Sequence, residues 1–238
     1  MAEVTTRDGV CQCRRDGARW LGTGPGGGYR HADAAYNVTV PEGFDRTDLA
    51  AYVDQRRRGA GFEIVGPGLL TGVDVTHARC ARVGSVTAVA TVGLSNPATL
   101  PLEPSGSDGT DGTEAWRPGT VNLLVVTEHA LGDGPLAELL TTCVEAKAAT
   151  LTQIAGVSGT TSDAAFVGTF PDGAQAAFAG SATAVGASAR ACVRDAIRAS
   201  FTARYADSEP PDSVDGARHG VVTNRQTDVC RPRSGEHD

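Results

Sequence analysis

The chain has 238 residues, 40% of them hydrophobic, which is enough for one sizeable core, and at this length one domain is the default. A formal net charge of −7, with no lysine-rich block, argues against a nucleic-acid partner. No apolar run is long enough to span a bilayer, and the segment around Glu3, Arg7 and Asp8 lacks the apolar centre of a signal peptide, so no membrane association is expected. Six scattered cysteines (11, 13, 80, 143, 192 and 230) contain no C-x-x-C pair, and the five histidines show no H-x-x-x-H grouping. Unpaired thiols fit a cytoplasmic protein, and no metal site is expected. Arginine replaces lysine at all positions but 147, and Asp outnumbers Glu, a composition that suggests a GC-rich genome and a salt-adapted host.

In chain order, residues 8–22 read as a hairpin, and the glycine-dense 22–28 segment reads as a turn, since it lacks the lysine of a phosphate-binding loop. Residues 35–40 form a strand ended by Pro41, with Asn37 an amide that must be satisfied if it faces inward. A short helix follows at 47–57, where Arg56, Arg57 and Arg58 are the only basic cluster. Strands then come in close succession at 61–65, 69–75, 78–83 and 85–92. Gly93-Leu94-Ser95-Asn96-Pro97 places polar side chains at the exit of the last of these. Residues 103–118 have almost no apolar content and read as a disordered insertion. A strand is expected near 175–179 and a final helix over 183–204, with Arg190, Arg194 and Arg198 outward and Val185, Ala189, Cys192 and Ala196 inward. The polar stretch 206–238 reads as a disordered tail, leaving residues 1–205 as the domain. Strands in runs, without strict βαβ alternation, predict an α+β domain: a mixed or antiparallel sheet with two long helices packed on one face.

Residues 119–163 carry most of the chemical signal. An apolar, β-branched run at 121–127 has the length of a buried strand, and Gly132-Asp133-Gly134-Pro135 opens a helix that ends near Ala155, before Gly156. Leu136, Leu139, Leu140, Cys143, Val144, Leu151 and Ile154 recur every three or four residues and form one stripe. Lys147, the single lysine, falls near its centre, while Glu145 points to the opposite side. Such an ammonium either snorkels to water along its own stem, or sits partly buried, held neutral or paired with a carboxylate such as Asp163. After the helix, Ser158-Gly159-Thr160-Thr161-Ser162-Asp163 precedes a strand starting at Ala164. This turn offers nucleophilic hydroxyls, N–H groups for an oxyanion and an acid; the alternative is a polar loop bonded to its own backbone.

The ordered motifs Asn37-x-x-Val40, Thr91-x-Gly93-x-Ser95-Asn96, Gly119-Thr120-x-Asn122, Glu145-Ala146-Lys147-Ala148 and Ser158-Gly159-Thr160-x-Ser162-Asp163-Ala164 resemble those of the adenosylcobinamide amidohydrolases, the CbiZ family. The resemblance covers roughly residues 18–204. The family's turn more usually reads Ala-Thr-Gly-Thr-x-Thr-Asp; here Val157, Ser158 and Ser162 stand at the first, second and sixth positions, with hydroxyls retained at the latter two. The resemblance implies hydrolysis of the amide that joins the aminopropanol arm of adenosylcobinamide to its corrin ring. The products would be adenosylcobyric acid and 1-amino-2-propanol, in cobamide (vitamin B12) salvage. It implies no protein-bound cofactor, because the cobalt belongs to the corrinoid substrate.

Amide cleavage needs a nucleophile, a stabilised oxyanion and a proton for the departing amine. The Thr160 hydroxyl, or a water beside it, is the candidate nucleophile, with a neutral Lys147 as base and Asp163 orienting the lysine or binding the aminopropanol hydroxyl. Backbone N–H groups of the 159–161 turn would hold the oxyanion. Glu145 completes the candidate catalytic set without a defined role. Asn37, Thr91, Asn96 and Asn122, with Ser158 and Thr161, are candidates for recognising the carboxamides that rim a corrin ring. The rival readings are a non-catalytic corrinoid carrier or sensor, and a self-processing hydrolase with Thr160 as a new amino terminus.

Overall fold

The computed structural model describes residues 1–104, 121–211, 213, 214, 216, 217 and 219–232. From residue 105 onward, the expected insertion at 103–118 lies outside the described residues. In chain order the elements are β1 (Glu3–Arg7), β2 (Val10–Arg14), β3 (Arg19–Gly22), β4 (Gly28–His31), β5 (Ala34–Thr39), α1 (Leu49–Gly59), β6 (Gly68–Thr71), β7 (Arg79–Val83) and β8 (Val86–Val92). They continue with β9 (Pro97–Thr99), β10 (Val121–Thr127), α2 (Asp133–Ala155), β11 (Gly159–Thr160), β12 (Ala164–Thr169), α3 (Ala184–Arg204) and β13 (Val221–Val222).

A six-stranded mixed sheet, ordered β4-β3-β12-β10-β8-β7, stands at the centre, and a four-stranded sheet, β1-β2-β5-β6, faces it. The sequence of β10 shows why this strand is central. Leu123 and Val125 pack into the cluster formed with α2 and α3, while Leu124 and Val126 pack toward the second sheet. A strand covered on both faces reads as a continuous apolar run, as 121–127 does. On the far side of the second sheet, Tyr52 and Val53 of α1 meet Val10, Tyr36 and Val38. The layers therefore run helix pair, sheet, sheet, helix: an α+β domain with its two long helices on one face of the larger sheet.

One crossover positions the chemistry. β10 and β12 are parallel neighbours, with Asn122 opposite Ala164, and α2 makes the return between them. Lys147 lies fourteen residues into α2, about 21 Å along the axis, close to the length of the strand the helix runs back over. The lysine is thereby delivered above the start of β12.

Four local expectations are corrected. Residues 8–22 are not one hairpin: β2 pairs with β1 and β5, whereas β3 pairs with β4 and β12 in the other sheet. The true hairpin is β1–β2, closed by Asp8-Gly9 with φ of 46° and 76° at the two turn residues, the conformation that Asp-Gly pairs adopt. Residues 61–65 form no strand, and 175–179 contribute only the bridge from Gln175 to Ala130. The stretch read as a disordered tail contains β13, paired with β9. The glycine-dense 22–28 segment is the turn joining β3 to β4.

The arginine cluster is structural. Arg57 is buried, bonded to Asp54 and the Phe62 carbonyl, and Arg56 reaches the Asp8 carbonyl at 2.8 Å. No helix among the described residues is long and apolar enough to cross a membrane. The thiols divide sharply: burial pushes Cys11 and Cys143 up to about 12 and raises Cys13 as well, whereas Cys80 and Cys230 are exposed. Titrating the native protein with a chromogenic disulfide at about pH 8, near the ordinary thiol range, should register Cys80 and Cys230 promptly. The four buried thiols should follow only with denaturant.

Candidate active site

The turn after α2 is held from two sides. β11 pairs antiparallel with β9, Gly159 opposite Ala98 and Thr160 opposite Pro97. Asn96, only 2% exposed, braces the turn's outer end. Its Nδ2 donates to Thr161 Oγ1 at 2.6 Å and to Ser162 Oγ at 3.3 Å, while its carbonyl accepts from Thr161 N at 3.0 Å. Ser158 Oγ donates to the Ala98 carbonyl at 3.2 Å.

Within this frame Asp163 folds back on its own turn. Its Oδ2 accepts from Thr160 N at 3.0 Å, and Oδ1 accepts from the Thr160 hydroxyl. Lys147 Nζ completes the set, donating to Asp163 Oδ2 in an ion pair whose side chains are 10% and 13% exposed. Of the two readings of the lone lysine, the structure shows the buried, paired one. The group in contact with the Thr160 proton is the Asp163 carboxylate.

Two of the three N–H groups expected to hold an oxyanion already have partners in the structure. Thr160 N is engaged by Asp163, and Thr161 N by the Asn96 carbonyl.

Gly159 is where the pair leaves no room. A β-carbon there would lie 2.6 Å from Asp163 Oδ2 and 2.7 Å from Lys147 Nζ. Gly159→Ala should push the two groups apart, lowering kcat about tenfold to a hundredfold, the scale expected for misplacing reacting groups by about 1 Å. Steady-state kinetics beside an unchanged circular dichroism spectrum would show it.

A cavity of about 130 Å³ opens beside the ion pair, lined by Lys147, Asp163, Thr23, Leu123 and Val144 among others. Three of these, Thr23, Leu123 and Val144, were not singled out as site residues in the sequence. Thr23 stands in the glycine-dense segment and clasps β12, its Oγ1 accepting from Ala165 N at 3.1 Å and its N–H donating to Ala165 O at 3.0 Å. Nothing local marks it, since 142 residues separate it from its partner. Val144 belongs to the expected apolar stripe, yet it is 42% exposed at the cavity rim. Nothing in the sequence distinguishes it from the buried members of that stripe.

The remaining candidates lie elsewhere. Asn37, Thr91 and Asn122 come together, but between the two sheets, at 2%, 0% and 1% exposure. Asn37 Nδ2 donates to Thr91 Oγ1, and Asn122 Nδ2 donates to Asn37 Oδ1 and the Leu70 carbonyl, each at 2.9 Å. Asn122 Oδ1 accepts from Ala164 N at 3.2 Å, one residue beyond Asp163. Their polar atoms are spent on one another and on backbone, so in this structure they support the site from beneath and do not line the cavity. Glu145 is on the outer side of α2, its carboxylate accepting from Arg190 at 3.5 Å and remote from the ion pair. Ser158 and Thr161 are exposed on the turn. Among the described residues, no three His, Cys, Asp or Glu side chains converge in a group that could hold a metal ion.

An acid bonded to a hydroxyl, with a cation on its other oxygen and a small cavity alongside, is the equipment of an acyl-transferring hydrolase. The family comparison agrees in class: residues 2–209 match the family model described as adenosylcobinamide amidohydrolase, and the chain belongs to that family. Among curated proteins, an adenosylcobinamide amidohydrolase of Halobacterium salinarum is 50% identical over 234 residues, spanning 98% of this chain and all of that protein. A second adenosylcobinamide amidohydrolase, from Methanosarcina mazei, is 26% identical over 148 residues, 62% of this chain and 67% of that protein.

Proposed function

We propose that this protein hydrolyses the amide between the aminopropanol arm and the corrin ring of adenosylcobinamide, releasing 1-amino-2-propanol and leaving adenosylcobyric acid. The observation that carries the chemistry is the contact of the Thr160 hydroxyl with Asp163, itself paired with Lys147. The Thr160 oxygen attacks the amide carbonyl carbon as Asp163 takes its proton. Lys147 faces the oxyanion that forms, an interaction worth about 3–4 kcal/mol where one such donor has been removed from other hydrolases. The C–N bond then breaks, with the Asp163 proton passing to the departing nitrogen. Water attacks the resulting threonyl ester by the same route in reverse, restoring the hydroxyl and releasing the carboxylate.

Size sets how the substrate lies. A 130 Å³ cavity takes the amide and its three-carbon arm, whereas the corrin macrocycle must rest outside, against the rim that exposes Val144. Ser158 and Thr161 are exposed on the turn, which supports a role for them in meeting the ring's carboxamides. The cobalt arrives with the substrate, and no protein-bound cofactor enters this scheme. A cytoplasmic setting suits the free cysteines.

The test is to incubate the purified protein with adenosylcobinamide and assay free 1-amino-2-propanol. Stoichiometric binding without release would mean a carrier or sensor instead. Mass spectrometry of the active protein should give one intact chain; cleavage before Thr160 would point to a self-processing hydrolase.

A further inference from the structure

Residues 210–232 lie beyond the span matched by the family model, yet part of them is built into the small sheet that presents Thr160. β13 pairs in parallel with β9, Val221 opposite Ala98 and Val222 opposite Thr99. On its other edge β9 pairs with β11, placing Ala98 opposite Gly159 and Pro97 opposite Thr160. Ala98 thus sits at the middle of a three-strand ladder, with the catalytic turn on one side and the C-terminal segment on the other. Two more backbone bonds fasten that segment: His219 N donates to Ser95 O at 3.2 Å, and Thr223 N to Thr99 O at 3.0 Å. They bracket Asn96, whose side chain braces the turn.

The strands of this sheet are three residues long for β9 and two each for β11 and β13. Pairings so short are marginal alone and depend on a third strand for stability. The preceding loop is gripped from α3, with Val92 N donating to Ser200 Oγ at 3.0 Å and Leu94 N to Tyr205 Oη at 2.8 Å. Beyond Leu94 this grip gives way to that of the C-terminal segment.

We infer that residues 219–223 are a positioning strap for the active site: by holding β9 from outside, they set the strand against which the turn bearing Thr160 is aligned. The strap touches no substrate and acts through β9 and Asn96. The inference rests on the proposed role of Thr160, because holding that hydroxyl is what the strap contributes. Reacting groups need placement to within about 0.5 Å, so a loosened β9 lowers turnover while leaving binding at the rim intact.

The experiment uses the full chain. Thr223→Pro removes the N–H that bonds Thr99 O, while Thr223→Val keeps it; proline is otherwise tolerated at a strand edge. In Thr223→Pro, kcat for aminopropanol release should fall about tenfold with KM within about twofold, tracking misplacement of well under 1 Å. Thr223→Val should match the parent. Hydrogen exchange gives a second readout: amides of residues 158–161 should exchange faster in Thr223→Pro, with those of β10 unchanged. Equal kcat in the two variants, unchanged exchange at 158–161, or lost protection spreading into β10 would each overturn the strap. Thr160→Ala separates the two ideas. Full turnover in that variant would remove Thr160 from the chemistry, while the exchange comparison would still judge the strap by itself.

Discussion

Asp163→Asn should lower kcat about a thousandfold, within the range of 10²–10⁴ expected for removing a general base. The substitution keeps the shape of the side chain and an oxygen that can still accept from Thr160 N. It removes the charge with which, in the proposed mechanism, the group takes the Thr160 proton and passes it to the departing amine. KM for adenosylcobinamide should change far less, since in the proposed arrangement the corrin ring is bound outside the cavity and Asp163 meets only the arm. Single-turnover assays of aminopropanol release against corrinoid binding would show the split. A variant with near-parent kcat would mean that another group takes the proton, and the contact between Thr160 and Asp163 would then be structural.

Lys147→Met should affect both turnover and stability. The variant keeps the length and bulk of the side chain but leaves a nearly buried carboxylate without its cation. Breaking a buried pair by removing one partner costs about 3–5 kcal/mol. At about 2–4 °C per kcal/mol for a chain of this size, Tm should fall by about 10 °C. Turnover should drop about a hundredfold to a thousandfold, the range for losing an oxyanion donor. The double variant Lys147→Met with Asp163→Asn should recover much of the stability lost in Lys147→Met, because neither charge is then stranded, while remaining inactive. This opposite movement of Tm and kcat is what a double-mutant cycle isolates. Near-normal turnover in a folded Lys147→Met protein would remove the lysine from the mechanism.

What could be read from the residues was what local periodicity and burial determine. The β10 run and the α2 stripe are long and regular, and their bounds in the structure agree with the pattern within a residue or two. Lys147 stood out because a single ammonium on an apolar face must have a partner, and the turn that follows contained the only nearby acid. Which group meets the Thr160 hydroxyl was not legible. Whether the Asp163 carboxylate or the Lys147 amine reaches it is a matter of turn geometry that the residue types leave open. Asn37, Thr91 and Asn122 were recognisable as polar groups within strands, but period-two alternation does not say whether a strand's polar face meets solvent, substrate or another sheet. The same ambiguity hid the parting of β2 from β3, since alternation does not identify the sheet to which a strand belongs. Composition likewise missed β13, two residues whose pairing is supplied entirely by β9.

The amide–hydroxyl cluster of Asn37, Thr91 and Asn122 has a mechanical consequence. It ties β5 and β6 to β8 and β10 across a buried interior, with every bond depending on the present alignment of the two sheets. Sliding one sheet over the other by a single residue would strand several buried donors and acceptors, at about 1–3 kcal/mol each. The sandwich therefore cannot yield by shear when a bulky guest arrives. Adjustment to a corrinoid falls to the periphery: the exposed flank of α2, the hydroxyl-bearing bend and the short ladder behind it, while the interior serves as a rigid anvil.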